Sequence, residues 1–528
     1  MNKREQQCHR AATEVFDIAI IGGGITGAGI ALTAANNGWK TIIIDKNDFA
    51  SGTSSRSAKM VHGGLRYLEQ FQIGLVKEAL HEREHLLKIY PHLVKPQPFF
   101  MPIYKSKFSK LKLGIGLTLY DKLSGKKSKS PKHKSLNTST IQQRFPQLKT
   151  DKMVGGFIYF DAKTNDARLT NEVIQNAEDL GAVALNYADC LHFEKNNNLT
   201  HSIICKDNLS NKQFSIQAKL FIIATGIWTD DTLKKYNADD VKKYMAPSKG
   251  IHLVVSANHL PKDCVMILPT SNGDGRFLWC MPWEDNLNII GTTDTDYKGN
   301  IEEIQVEQNE INYILDSVNA QLRNSKLTEN DILSVFAGIR PLLNDDDEDK
   351  KSNKRSRDYK IWWNNENTLT ISGGKFTSFL SMAEHCLDTV KEKLDYSSNQ
   401  IQENIDILIA EKWQPLLNKY EGKYGDNNAK RIISIVQDFN DITLSNQDEK
   451  YPYSDVEFIF FIRFQNALKI DDLLTRRTLV TYQMKNFDAE YVSKIATIMA
   501  KELDWNDTQK LNEINDYKNA WQLMHSWH

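Results

Sequence analysis

FDIAIIGGGITGAGIALTAANNGWKTIIIDK, residues 16 to 46, sets out the parts of a dinucleotide-binding βαβ unit in order. The apolar run Ile18 to Ile21 reads as a buried strand, the small-residue stretch Ala28 to Asn37 as a helix, and Thr41 to Ile44 as a second buried strand closing on Asp45. Between them lies Gly22-Gly23-Gly24-Ile25-Thr26-Gly27. Gly22 permits the tight turn, Gly24 lets the backbone approach a pyrophosphate, Gly27 lets helix and strand pack closely, and the helix N-terminus faces the phosphate charge. Asp45 stands where a carboxylate accepts a ribose 2′-hydroxyl hydrogen bond, which argues against a 2′-phosphate. No Gly-Lys-Ser/Thr follows the glycines, so this is not a phosphoryl-transfer loop.

Two later segments repeat the pattern of a strand ending in small residues. KLFIIATGIW (Lys219 to Trp228) ends in Ala224-Thr225-Gly226, and TLTISGGKFTSF (Thr368 to Phe379) in Gly373-Gly374-Lys375. Open α/β sheets bind ligands at strand carboxyl ends, and three such returns are more than a nicotinamide site needs. A flavin dinucleotide fits better.

The 528 residues suffice for two or three domains. Lys plus Arg (66) nearly equals Asp plus Glu (67), so no global charge points to nucleic acid. Six scattered cysteines have neither C-x-x-C nor zinc spacing and read as reduced, mostly buried thiols. The N-terminus has no apolar signal region, and no apolar run approaches a bilayer span, so the expectation is a chain neither secreted nor membrane-spanning. Strand and helix signals alternate to about Leu394, and beyond Asn399 the pattern is helical. This gives two regions, 16–395 and 396–528, the first with an interleaved substrate lobe at roughly 85–165 and 245–340. The acidic-then-basic run Asn344 to Asp358 reads as a solvated loop.

His81-Glu82-Arg83-Glu84-His85 formally matches a zinc-protease motif, but no third ligand stands at a recognisable spacing. It reads as part of a solvated amphipathic helix, with no metal. The segment Lys105 to Lys134 carries ten lysines against one acid, Asp121, with Phe108, Leu111, Leu113, Ile115, Leu117, Leu119 and Tyr120 interleaved. Basic and apolar together suggest an interfacial segment; a solvated basic loop is the alternative.

GGGITGAGIA, TSSRSAKMVHGGLRYLE, DARLT, ATGIW, KGIHLVV, GTTDTDYKG, GIRPLL and GGKFTS occur in that order, followed by DVEFIFFIRFQNALKIDDLLTRRT (Asp455 to Thr478). Through these motifs, nearly the whole chain resembles the FAD-dependent glycerol-3-phosphate dehydrogenases of the aerobic, respiratory type. The resemblance implies a Rossmann-like FAD-binding domain interleaved with an α+β substrate lobe, as in the glucose and D-amino-acid oxidases, plus an all-α C-terminal domain. It implies oxidation of sn-glycerol 3-phosphate, with electrons passed to a membrane quinone, in a cytoplasmic enzyme held peripherally on an anionic membrane surface. A homodimer is left open. Ile25, Thr26, Lys46, Thr53, Ser54 and Ser55 join the three glycine-rich segments and Asp45 around FAD. Arg66, Tyr67, His252, Arg340 and Lys375 face the substrate: the cations suit a phosphomonoester, and His252, in KGIHLVV ahead of an apolar strand and near its neutral pKa, can accept the hydroxyl proton. Either His252 or Arg340 dominates the catalysis. Three alternatives compete: an oxidase passing electrons to oxygen, an amino-acid oxidase, and a non-catalytic flavin-bearing subunit. The short interval near Asp345 favours the dehydrogenase, and the five substrate-facing residues together speak against the last.

Overall fold

The computed structural model describes residues 3–104, 106–125, 128–196, 199–237, 242–323, 326–344, 358–394 and 409–527. Lys105, Lys126, Lys127, the interior of the acidic-basic run (345–357) and the expected boundary at 396 lie outside these residues.

The first strand, Val15–Ile21, sits at the centre of an eight-stranded sheet among the described residues. It pairs in parallel with Thr41–Ile44 on one side and Gln213–Ile223 on the other. Thr368–Gly373 adds to the latter, also in parallel, so the three strand ends identified in the sequence lie side by side on one sheet edge. Such strands are covered on both faces and therefore run apolar throughout: Ile18, Ile20, Ile43 and Ile222 are fully buried. The helix begins at Ile25, earlier than its composition suggests, because Gly24 serves as N-cap in an extended conformation. Small residues on this helix admit the neighbouring helix Phe379–Val390, and a Cβ on Gly29 would meet the Phe379 ring at 2.7 Å. Burying that ring fully contributes roughly 1.5–3 kcal/mol.

A second sheet, ten-stranded among the described residues, holds the segments expected to form the substrate lobe. It draws on Lys95–Ile103, Gly155–Lys163 and six strands between Ser248 and Arg340, and begins earlier than expected, with Met60–Val61. The C-terminal region is helical, from Gln414–Tyr424 to Asp507–Leu523, around a core that includes Tyr420, Ile432, Phe460, Leu474 and Ile495.

Buried charge joins this helical region to the first sheet. Asp48, four residues past the end of Thr41–Ile44, accepts hydrogen bonds from Arg476 Nε (2.6 Å) and from both terminal nitrogens of Arg477 (2.6 and 2.9 Å). Asn186 Nδ2 donates to the same carboxylate (3.0 Å), and Arg476 also bridges Asp471 and Asp472. Although burial opposes ionisation, the two guanidinium groups hold Asp48 below the usual carboxylate range.

The helix Ile73–Ile89 departs from expectation. His81 and His85 are exposed, but Arg83 is buried and donates to Asp161 (2.7 Å) and to the Phe160 carbonyl (2.9 Å). Asp161 in turn accepts from Tyr120 Oη (2.7 Å) and Gly63 N (3.1 Å), so the helix anchors the loop that carries Arg66 and Tyr67. Among the described residues no cluster of His, Cys, Asp and Glu could hold a metal ion.

Arg477→Ala should destabilise the protein by roughly 3–5 kcal/mol, because it leaves a buried carboxylate short of a cation. Calorimetry should show a clearly lower unfolding midpoint; an unchanged midpoint would show that Asp48 does not depend on Arg477.

Candidate active site

The three strand ends open into one cavity of about 2210 Å³ that runs between the two sheets. At its dinucleotide end, Gly22 turns the chain at φ +113°, close against the Ala224 carbonyl. A Cβ on Gly27 would lie 1.9 Å from the Gly22 oxygen, so only glycine allows the helix to start there. The nearest obstacle to a Cβ on Gly24 is Ser54 Oγ at 3.2 Å, which leaves that backbone facing the cavity. Ser54 Oγ accepts from Ile25 N (2.9 Å) and ties the 51–58 loop to the helix start. Asp45 accepts from Gly23 N (2.7 Å) and Asn47 N (2.9 Å), while burial pushes its carboxyl up to about 6 against those two donors.

Gly22, Gly24, Ile25, Thr26, Asp45, Lys46, Thr53, Ser54, Ala224, Thr225, Gly226, Gly373, Gly374 and Lys375 all line this cavity. Gly27 and Ser55 do not. Gly27 acts by close packing, and Ser55 turns its hydroxyl back to the Gly52 carbonyl (3.3 Å). Lys46 pairs with Glu302 and lies 4.7 Å from the centre of the Trp228 ring.

The other end of the cavity is set by strand register. Ser248, Gly250 and His252 share one face of the strand Ser248–Ser256, since alternate residues point the same way. Opposite them on Ile332–Arg340 stand Arg340, Gly338 and Phe336 respectively. The His252 imidazole therefore stacks on the cross-strand Phe336 ring, 4.7 Å between centroids and 15° between planes. On its other flank it lies over Gly291, where a Cβ would be 2.3 Å from its Cδ2. His252 is inside the strand rather than ahead of it. Its imidazole is far from the near-neutral expectation: burial first, then the positive charges of Arg340 and Lys59, push it down to about 3. Neither ring nitrogen has a hydrogen-bond partner among the described residues, and the ring borders the cavity.

Arg340 is fixed by four acceptors: Ser248 Oγ (3.2 Å), Asp294 Oδ1 (3.3 Å), Thr292 Oγ1 (3.3 Å) and the Thr293 carbonyl (3.1 Å). Lys375 Nζ sits 4.1 Å from the Tyr67 ring centre, a cation–π contact. Arg66 is exposed at the same cavity. All five residues expected at the substrate are thus on one cavity wall system. The sequence reading missed Arg276, which donates to the Asp294 carbonyl (3.0 Å), and Arg56, whose carbonyl passes where a Cβ on Gly338 would stand. Arg56 lies within the quoted TSSRSAKMVHGG stretch; Arg276 sits in a glycine-rich loop with no pattern to distinguish it.

A cavity at parallel strand ends, with a glycine cradle at one end and an unpartnered imidazole at the other, defines a FAD-dependent oxidoreductase. The model of the FAD dependent oxidoreductase family matches residues 17–377, and that of the C-terminal domain of alpha-glycerophosphate oxidase matches residues 375–510. The aerobic glycerol-3-phosphate dehydrogenases of Staphylococcus aureus strains MRSA252 and USA300 are each 34% identical over 537 aligned residues, covering 96% of this chain and 94% of theirs. The glycerol-3-phosphate dehydrogenase of Bacillus halodurans, solved with FAD, superposes with a TM-score of 0.78 at 26% identity, over 99% of this chain and 98% of that one. The L-alpha-glycerophosphate oxidase of Mycoplasma pneumoniae, at 17% identity and a TM-score of 0.58 over 74% of this chain and 98% of that one, shares the fold. The chain belongs to the aerobic glycerol-3-phosphate dehydrogenase family.

Gly27→Ala should abolish the cradle, since no rotamer relieves a backbone clash. The purified variant is expected to carry little FAD by its visible-to-ultraviolet absorbance ratio; full occupancy would mean that helix and strand separate without loss.

Proposed function

We propose that this protein oxidises sn-glycerol 3-phosphate to dihydroxyacetone phosphate and delivers the electrons to a quinone dissolved in the membrane. The observation that carries the chemistry is the buried, unpartnered His252 imidazole in the same cavity as Arg66, Tyr67, Arg340 and Lys375. The oxidation removes a hydride from C2 and a proton from the 2-hydroxyl. FAD, when bound along the Gly22–Gly27 and Asp45 end, supplies the hydride acceptor. His252 is neutral at physiological pH and takes the hydroxyl proton at a ring nitrogen. Arg340, held by Asp294 and Ser248, presents a fixed guanidinium, and Arg66 and Lys375 add charge for a dianionic phosphate. Burial of the His252 imidazole keeps water from competing for its ring nitrogens.

The helix Lys107–Leu123 supports the membrane acceptor. Phe108, Leu111, Ile115 and Leu119 recur at helical spacing and are 37–75% exposed, an apolar stripe facing solvent. Lys107, Lys112 and Lys122 flank it. Phe108, Lys112, Leu113 and Gly116 also border the cavity, which puts the stripe at its mouth. A stripe of this kind seats in a lipid interface, and each lysine near an anionic leaflet contributes about 1 kcal/mol. No described helix is long and apolar enough to cross a membrane. Attachment is therefore peripheral in this reading.

Arg66→Ala and Lys375→Ala should each lower kcat/KM for glycerol 3-phosphate roughly 10- to 150-fold, the loss of about 1.5–3 kcal/mol from one charge-assisted hydrogen bond. Turnover of glycerol, which has no phosphate, should change far less. Equal losses with both substrates would remove these residues from the phosphate pocket.

Sedimentation with anionic liposomes tests the acceptor. Binding is expected at low ionic strength and release at high salt, with faster reduction of a quinone analogue when liposomes are present. Replacing Lys107, Lys122, Lys129 and Lys132 by Gln should weaken sedimentation and leave anaerobic flavin reduction intact. Rapid oxygen consumption with stoichiometric peroxide, indifferent to liposomes, would make the chain an oxidase.

A further inference from the structure

Beside the Phe336 ring lies a fully buried ion pair that the proposed reaction does not use. Lys59 Nζ is 2.7 Å from Asp166 Oδ1, and the two side chains are 2% and 0% exposed. Lys59 also donates to the Ser55 carbonyl. Asp166 accepts from Ser57 N (3.0 Å), Ser57 Oγ (2.6 Å) and Ala167 N (2.8 Å). An ammonium this deep is costly to desolvate, and apolar side chains of similar volume often stabilise such a position at least as well. Lys59 furthermore adopts φ +56°, a left-handed backbone that non-glycine residues rarely take. Strain and buried charge at one residue point to a role other than stability.

The ammonium sits 5.1 Å from the Phe336 ring centre and 5.2 Å from that of Trp283. Phe336 is the ring on which His252 stacks, so Lys59 and His252 both pack on one aromatic ring. We infer that Lys59, held in place by Asp166, is a positioning residue of the oxidation: it packs with His252 on the ring of Phe336, and its charge sets the acid limb below which the imidazole no longer takes the proton. The inference rests on His252 being the proton acceptor.

Every charged group near the imidazole fits this assignment. On its own sheet stands Arg340, its charge shared with Asp294. The 53–60 loop brings Lys59, shared with Asp166, and Arg56. Lys375 borders the same cavity, and the Tyr482 phenol packs against Phe336 from the C-terminal region, 5.8 Å between ring centres. The strand behind His252 presents only Gly291. Arg340 and Lys59 are the cations that act on His252 most strongly, and Arg340 is committed to the cavity, which leaves Lys59 as the fixed charge independent of substrate. At a buried site, a nearby unit charge shifts a proton equilibrium by about one pH unit.

The sign follows directly. A base works above its own pKa, so its rate falls as pH falls through that value. Removing a nearby cation raises the value and moves the acid limb to higher pH. The experiment compares wild type, Lys59→Arg, Lys59→Met, the double variant Lys59→Met/Asp166→Asn and His252→Gln. Two readings are taken: single-turnover anaerobic flavin reduction by glycerol 3-phosphate against pH, and the pH titration of the His252 carbon signal in protein labelled with 13C-histidine. His252→Gln identifies that signal by its loss. In Lys59→Met the limb and the NMR titration should both move up by about one pH unit, and Lys59→Arg should return them to the wild-type position. The double variant removes the unpaired carboxylate along with the cation and keeps the test open if Lys59→Met fails to fold; it should move both in the same direction by less. If both curves stay at the wild-type pH in Lys59→Met and in the double variant, while His252→Gln abolishes the limb, Lys59 is purely structural and the inference is overturned. If His252→Gln keeps the wild-type limb, the proton acceptor itself has been misassigned, a separate failure.

Discussion

The carboxylate of Asp48 is the constraint on which the cofactor half of the molecule depends. It is fully buried between two guanidinium groups from a region more than four hundred residues away. An isolated carboxylate in that position would cost several kcal/mol, so the loop from Asp45 to Lys59 can take its shape only when Arg476 and Arg477 are in place. That loop carries Asp45, the Ser54 hydroxyl that seats Ile25, and Lys59. The helical C-terminal region thus completes the dinucleotide end of the cavity without contributing to its lining.

At the other end of the cavity the governing fact is register. Pairing Ser248 with Arg340 places Gly250 against Gly338 and His252 against Phe336. The glycine pair opens a slot on the sheet: the Arg340 guanidinium occupies one side, 2.5 Å from where a Gly250 Cβ would stand, and the Arg56 backbone crosses the other. A one-residue slip would turn His252 to the opposite face and close the slot with side chains. Imidazole, guanidinium and cofactor loop are therefore positioned by one hydrogen-bond ladder rather than by separate local choices.

Much of this was legible in the chain because it is local. The turn at Gly22, the ending of strands in Ala224-Thr225-Gly226 and Gly373-Gly374, and the carboxylate at Asp45 each follow from a few adjacent residues. What escaped the sequence depends on partners far apart in the chain. Arg83 looked like one more charge on a solvated helix because Asp161, which neutralises it, lies 78 residues on. His252 looked like an imidazole titrating near neutral pH because its burial and its repulsion by Arg340 and Lys59 have no signature in KGIHLVV. Arg476 and Arg477 sit in a helical segment whose periodicity says nothing about Asp48. Charge pairing over long separations leaves no periodic trace, whereas strand ends and tight turns do.

The separation of Asp48 from Arg477 also sets an order of events in synthesis. At about 5–20 residues per second, the separation of 429 residues takes roughly 20–90 s to translate. For all of that time Asp48 lacks the two guanidinium groups that neutralise it. The cofactor pocket is among the earliest sequences made and among the last to be completed, and a chain released short of residue 477 is left with a half-built cradle.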